Sequence, residues 1–542
     1  MGPARSRAAP TALLLAAGVL ALYSIGLTYS PPHLHHDEVF FAVEAQSIAA
    51  NGRDVYGRVL PLYFQISEDV WFHPALVYVT AMFLKALPVS MASVRFPSVV
   101  VGATNVVLIY LIGRRLFRQE RWAILAAVLL ALTPAHFVHS RIAMDYLYPV
   151  PFVLGWLLGL LIYVERRRTW ILFAATSCLG VGFYSYIASV AMMPLYVGFT
   201  WIALWRRGDE PRRAYAIALA GFLWPLALLG VWVVNHRDAL AATASRYELS
   251  SLPRLEVSRA GGAEAGGDRS LAGVLQELRR ATHFSGLTGR VSLYWYFFDP
   301  SYLFVTGGYA NIVNSTRRVG VFVLPFAVLV PLGAYVILKH RRRWPWPLLV
   351  AGFATAPLAA CLVVPEPYAI DREMAVVPFG VLLATAGAEQ LLTSNRPRVR
   401  LASAALVAIV PLHFLFFLYV YFTDYRVRSA AWFEGNRIGA LAEAVAREPR
   451  EHPTAVYLST DIPYVDWCWR FCLAEHRRLD LLPHTTYFDP RTTDLRDAPI
   501  GAVVVTTRKD VRAESLAASG PLRRLAVVKD ADDSPTFLVY QR

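Results

Sequence analysis

Apolar runs of bilayer-spanning length recur through this chain, and they fix its class before any other feature. A helix needs about twenty predominantly apolar residues to cross a hydrocarbon core of ~30 Å. Such runs fall at approximately 11–29, 95–113, 121–138, 147–164, 169–185, 187–205, 214–234, 318–338, 346–364, 374–393 and 401–422. The 542 residues are 56% hydrophobic and 17% charged, too apolar for an ordinary soluble enzyme of this size. The expected fold class is a mainly α polytopic membrane protein with one soluble segment. Arg5 and Arg7 precede the first run, and no clear small-x-small cleavage site follows it. That run reads as an uncleaved helix.

A further run at 74–90, PALVYVTAMFLKALPVS, is ambiguous. It is short, contains Lys85 and is bounded by Pro74 and Pro88. Charge resolves it. The short basic loops are 113–121, 165–168, 205–213, 339–343 and 395–400. If 74–90 does not cross, all of them share one side with the N-terminus, as the positive-inside rule requires. The expectation is therefore eleven crossings from a cytoplasmic N-terminus, with 74–90 lying along the outer face. The outer face then receives a first loop (30–94), the 139–146 turn, a long loop (235–317), 365–373 and everything after about 423. The same distribution explains the formal charge of +14 without nucleic acid: the arginines mark topology.

Composition divides the chain into a transmembrane domain, 1–422, and an extracytoplasmic α/β domain, 423–542. WFEGNRIGALAEAVAREP reads as an amphipathic helix. TAVYLST, GAVVVTT, LAVVKD and TFLVYQ read as strands, with a helix around WCWRFCLAEHRR. Alternating signals of this kind suggest a small α/β unit. Cys468 and Cys472 are four apart in that helix, an awkward geometry for a disulfide. The aromatic run 294–308 suits an interfacial belt or the wall of a sugar or lipid groove.

The outer segments hold the chemistry. HLHHDEVFFAVEAQSIAANG, 33–52, places Asp37 and Glu38 just beyond the first span. Asp37 is a plausible N-cap for a helix from Glu38 to about Ala50, and equally a catalytic acid. SRIAMDYLYP adds Arg141 and Asp145, and PEPYAIDREM adds Tyr368, Asp371 and Arg372. Ionisable groups at helix mouths that face one cavity are functional candidates. A carboxylate can deprotonate an acceptor hydroxyl. An arginine fork pairs with a departing phosphate. Together they fit glycosyl transfer from a lipid-phosphate sugar.

The residues also resemble a known family. HHDEVFFAVEAQSIAANGRDVYG, WFHPALVYV, VRFPSVVVGATNVVLIYLIGRRLF, ALTPAHFVHSRIAMDYL and GVGFYSY resemble the polyprenyl-phosphate-sugar-dependent glycosyltransferases of the GT-C superfamily. That superfamily includes the protein O-mannosyltransferases and the aminoarabinose transferases that modify lipid A. The likeness covers roughly 10–235 well and 290–393 more loosely. It implies a first outer loop with interfacial helices, Asp37 as catalytic base, and inversion at the anomeric carbon. It implies that Glu38 orients Asp37 or the acceptor and that Asp145 is a second catalytic acid. Arg372 matches a basic position near the donor phosphate. Arg141, His73 and Tyr368 are the other substrate-binding candidates. Some relatives bind a divalent metal cation nearby and others do not; here His35, His36 and His73 are the candidate ligands, at a spacing that is not diagnostic. The expected partners are a polyprenyl-phosphate-sugar donor, a protein, lipid or polysaccharide acceptor, and membrane lipid in a bacterial inner membrane. The rival reading is a transporter or flippase of a lipid-linked or sugar substrate, which expects mid-span ionisable residues and repeat symmetry.

Overall fold

The structure is a computed structural model that describes residues 8–67, 70–208, 210–236, 293–308, 312–340, 344–363, 366–451 and 453–542. Most of the expected long outer loop, including GGAEAGGDRS at 261–270, lies outside the described residues. The bundle begins with α1 (Ala8–Ser24), α2 (His36–Asn51), α3 (Pro74–Leu84), α4 (Met91–Phe117) and α5 (Glu120–Ala131). It continues through α6 (Pro134–His139), α7 (Pro149–Arg166), α8 (Thr169–Gly182), α9 (Ser189–Arg207) and α10 (Arg212–Asn235). After the long loop come α11 (Phe326–His340), α12 (Trp346–Thr355), α13 (Pro357–Val363), α14 (Val376–Leu392) and α15 (Pro397–Val420).

Length and apolarity alone qualify four of these helical stretches to cross a membrane: Met91–Phe117, Asp145–Arg166, Arg212–Asn235 and Pro397–Phe433. Shorter apolar helices, among them α1, α8, α11 and α14, pack with them. The sequence runs and the helices differ in places for local reasons. The run 121–138 is cut between α5 and α6 at Thr133-Pro134, because proline disfavours helical backbone in the residue before it and has no N–H to continue the ladder. The run 318–338 becomes helical only at Phe326, directly after Pro325. The ambiguous run 74–90 yields only α3, 11 residues long. At 1.5 Å per residue that is about 16 Å, half a hydrocarbon core. It packs on α2 instead.

The segment between α2 and α3 also contains a short antiparallel hairpin, β1 (Phe64–Ser67) with β2 (Val70–Phe72). Beyond α15 the chain forms α16 (Arg437–Arg447), β3 (Val456–Ser459), α17 (Val465–His476), β4 (Thr485–Phe488), β5 (Val503–Thr507), α18 (Val511–Ser519), β6 (Arg523–Lys529) and β7 (Pro535–Gln541). The five-stranded sheet has the order β4-β3-β5-β7-β6. Its β4, β3 and β5 are parallel, and β7 pairs antiparallel with β5 and β6. Cys468 and Cys472 are free and buried on α17.

This sheet unit is not a remote appendage. One continuous apolar cluster joins Phe40 and Phe41 of α2, Leu76 of α3, Leu441 of α16 and Trp469 of α17. The helix that carries Asp37 is therefore sandwiched between the bundle and the C-terminal unit.

Candidate active site

α2 starts in a way that decides what Asp37 is free to do. The N-cap is His35, not Asp37: the His35 side chain accepts from the Asp37 N–H at 3.3 Å. Glu38 closes the capping box by accepting from the His35 N–H at 3.0 Å. The expected capping role is thus taken by the histidine. Asp37 sits in the first turn with its side chain 26% exposed.

Glu38 has the opposite character. Its carboxylate is wholly buried and accepts a bidentate fork from Arg95, Nε to Oε1 at 2.9 Å and Nη2 to Oε2 at 3.0 Å. The Ala143 N–H adds a bond of 2.8 Å to Oε1. One carboxylate so ties α2 to α4 and to the turn that bears Asp145. A group with no exposed oxygen cannot meet an acceptor; of its two implied duties, only the orienting of Asp37 is sterically open to it.

Arg95 spends its other N–H groups on the carbonyls of Leu27, Pro31 and His33. Arg141 behaves likewise. It is fully buried, donates to the carbonyls of Tyr23, Ile25, Gly26 and Ser30 and to the Tyr421 hydroxyl, and lies over the Phe137, Tyr421 and Phe422 rings. All five guanidinium donors are in use, leaving none for a phosphate. The substrate-binding expectation for Arg141 is corrected on that ground: this arginine binds the end of α1 and the chain leading to α2. Gly102 of α4 permits the approach, since a Cβ there would collide with Ser140.

Asp145 is 7% exposed and makes no ion pair among the described residues. It lies within electrostatic reach of both Asp37 and Asp371. Its neighbour Tyr146 lines a polar cavity of about 450 Å³ with Gly307, Gly308, Asn314, Glu366, Tyr368, Asp371 and Arg372. Gly307 and Gly308 have φ of +68° and +89°, which side chains would resist, so backbone forms part of the wall. Asp371 accepts from Tyr186 Oη at 3.3 Å and from Asn314 Nδ2 at 3.2 Å, and Arg372 Nε is 3.7 Å away. Burial pushes the Asp371 carboxyl above its ordinary range. Burial does the same to Glu373, whose Oε1 accepts from Tyr302 Oη at 2.6 Å. Arg372 reaches Glu366 at 3.1 Å and stays partly exposed to the cavity. The Tyr368 hydroxyl donates to Asp299 at 3.3 Å. The aromatic run 294–308 is divided in use: Tyr302 is buried beside this cavity, whereas Trp295 is exposed.

His73 stands apart. It caps α3, its Nδ1 has no partner among the described residues, and its ring packs edge-on against Tyr63 at 5.3 Å. Burial lowers its pKa to about 3, so the ring is neutral. Among the described residues the one cluster with ligand atoms close enough for an ion is His35, His36 and Asp37, without His73. Its fit to a metal is poor. The imidazole centroids are 3.9 Å apart with the rings tilted by 34°, Nδ1 of His35 receives the Asp37 N–H, and Nδ1 of His36 is 2.6 Å from Glu434 Oε1. Two of the four ring nitrogens are therefore already engaged.

Two acidic groups near the site carried no signal in the sequence. Glu434 precedes α16, and Asp530 follows β6 and meets His33 at 2.5 Å. Only tertiary contact brings them to α2.

These features define a mainly helical protein with four stretches long and apolar enough to cross a membrane, and with an acid-rich cavity lined by Tyr146, Asp371 and Arg372. The comparisons agree. Residues 73–232 match the family model for dolichyl-phosphate-mannose-protein mannosyltransferase. The solved structure of ArnT from Cupriavidus metallidurans in the apo state superposes with a TM-score of 0.56 at 14% identity, over 98% of this chain and 98% of that one. The same protein bound to undecaprenyl phosphate gives 0.56 at 15% identity, over 97% of each chain. At such identities the likeness is one of fold. No curated protein sequence matches the chain.

Proposed function

We propose that this protein is a membrane glycosyltransferase that moves a monosaccharide from a polyprenyl-phosphate donor to an acceptor on the outer face. The observation that carries the reading is that Asp371 and Arg372 line one cavity with Tyr146, and that Asp37 and Asp145 lie within electrostatic reach of the same Tyr146, in a chain of this fold. Asp37 takes the proton from an acceptor hydroxyl. The oxygen attacks the anomeric carbon as the bond to the phosphate oxygen breaks, in a single displacement with inversion. The departing polyprenyl phosphate keeps the bonding electron pair, and Arg372 pairs with it. Asp145 orients the acceptor, and Tyr368 and the neighbouring glycines shape the sugar site. Rate enhancement then comes from positioning and electrostatics. The undecaprenyl phosphate held by ArnT supports the donor class. No step is routed through a metal.

The topology we propose has eleven crossings from a cytoplasmic N-terminus, with 1–422 as the membrane domain and 423–542 outside. It is supported by the brevity of α3 and by basic residues closing α4, α7, α9 and α11. The setting is a bacterial inner membrane.

The test is transfer of a radiolabelled sugar from polyprenyl-phosphate donors, mannose and aminoarabinose among them, to cell-envelope extract by the purified full chain. Asp37→Asn is expected to abolish transfer while retaining undecaprenyl phosphate binding. Transfer at the wild-type rate by that variant would refute the base assignment. Failure of the wild type with every donor, alongside donor uptake into vesicles, would favour transport.

A further inference from the structure

His36 is held on every side. Its ring stacks on Tyr464 at 4.6 Å and meets the tilted ring of His35 at 3.9 Å. Its Nδ1 lies 2.6 Å from Glu434 Oε1, and its Nε2 lies 3.5 Å from Asp37 Oδ1. Two of those four partners, Tyr464 and Glu434, come from the C-terminal segment. Glu434 is itself fixed. It pairs with Arg437, and Arg437 also donates to the Leu34 carbonyl just before α2.

The backbone at Glu434 supports a specific purpose. Its φ is +61°, in the left-handed region that a residue with a side chain enters at a cost. The following Gly435 has φ +71° at little cost. A glycine would relieve position 434 as well, but it could not present a carboxylate. The strain is retained where the side chain reaches into α2.

We infer that Glu434 is a positioning residue for Asp37, acting through His36. A carboxylate on Nδ1 fixes how the ring is turned. That keeps the Nε2 edge of the ring against Asp37 at one constant place and limits where the Asp37 carboxylate can swing. The segment after α15 is thus part of the catalytic unit rather than a cover. This inference rests on the proposed role of Asp37. The groups facing His36 are Asp37 and His35 on its own segment, with Glu434 opposite; Glu38 and Arg437 stand one contact further.

The experiment compares Glu434→Gln, Glu434→Asp, His36→Asn and the double variant Glu434→Gln/His36→Asn in the full chain, using the radiolabelled transfer assay. Glu434→Gln is expected to lower kcat about 10- to 100-fold with the donor KM unchanged, the size of effect that follows from misplacing a reacting group. Glu434→Asp should recover part of the loss. The double variant should be no slower than His36→Asn alone, because the two residues act in series. Asp530→Asn, which weakens a separate polar contact between this unit and His33, reports on docking; it should leave kcat within about twofold. Wild-type kcat in Glu434→Gln would overturn the inference, as would multiplicative losses in the double variant or an equal loss in Asp530→Asn. If Asp37→Asn is fully active, the reading of Asp37 fails first; if it is inactive while Glu434→Gln is normal, only this inference fails.

Discussion

Replacing Arg95 with methionine tests how the loop bearing Asp37 is held. The guanidinium makes two bonds to Glu38 and three to the carbonyls of Leu27, Pro31 and His33, and the Arg95 and Glu38 side chains are both at 0% exposure. Methionine fills much of the volume and none of the donors. Glu38 then keeps two backbone N–H groups, from His35 and Ala143, against a buried negative charge. Removing one partner of a buried ion pair costs about 3–5 kcal/mol. Glu38→Gln should cost less, about 1.5–3 kcal/mol, because Arg95 retains its three carbonyls and the amide oxygen still accepts. The double variant should be more stable than the sum of the two losses predicts, since neither charge is then left alone. Cys468 and Cys472 are buried thiols, so labelling by a thiol-reactive fluorophore during denaturant titration in detergent reports unfolding directly. An Arg95→Met protein that unfolds at the wild-type midpoint would refute the reasoning, as would Glu38→Gln proving the more damaging change.

Other changes separate binding from support. Arg141→Lys supplies three donors where five are used, so it should destabilise by about 1–3 kcal/mol for each carbonyl left unpaired, yet leave undecaprenyl phosphate affinity unchanged in a binding titration. Arg372→Gln should weaken that affinity about tenfold or more, the loss of one charge-assisted bond, with little change in the denaturation midpoint. Glu44 is buried on α2, accepts from the Val55 N–H at 3.1 Å, and is raised by burial to about 7. A carboxyl whose folded pKa exceeds its unfolded value binds more protons when folded, so its contribution is full below the ordinary carboxylate range and declines as pH rises to about 7. Between pH 5 and 8 the Glu44 contribution should therefore fall by up to about 3 kcal/mol, read as the difference in stability between wild type and Glu44→Gln across that range. His73 acts oppositely: lowered to about 3, it withdraws stability as pH falls below about 6.5, a loss that His73→Gln should reduce.

Much of the fold was legible because its signals are local. A transmembrane run announces itself by composition, and the strands of the tail by β-branched residues: TAVYLST holds β3, GAVVVTT holds β5, LAVVKD holds β6 and TFLVYQ holds β7. The elements overlooked were those whose signals are brief. β4 is four residues, and the β1–β2 hairpin offers only FQIS and VWF. Helix ends shifted wherever a proline intervened inside an apolar run, as at Pro134 and Pro325. Crossing number is harder still. Several helices here are shorter than a membrane is thick, so length alone separates four of them and parity of charge must do the rest.

The site was legible as a set of residues and illegible as a set of roles, and the two arginines show why. Arg95 and Arg141 look from sequence like any arginines at an outer helix mouth, fit for phosphate. What distinguishes them is the backbone they meet. The chain between α1 and α2 turns back without regular structure, so its carbonyls at Tyr23, Ile25, Gly26, Leu27, Ser30, Pro31 and His33 need donors from elsewhere. Two five-donor side chains from α4 and the α6–α7 turn answer that need, and being fully committed they cannot also release and rebind a substrate. Arg372 meets carboxylates instead, at 3.1 and 3.7 Å, with part of its surface open to the cavity. A guanidinium held by charge beside a cavity can exchange one anion for another; a guanidinium woven into carbonyls cannot. By that criterion Arg372 is the guanidinium placed to meet an anion, and the buried pair holds the chain that leads into α2 and Asp37.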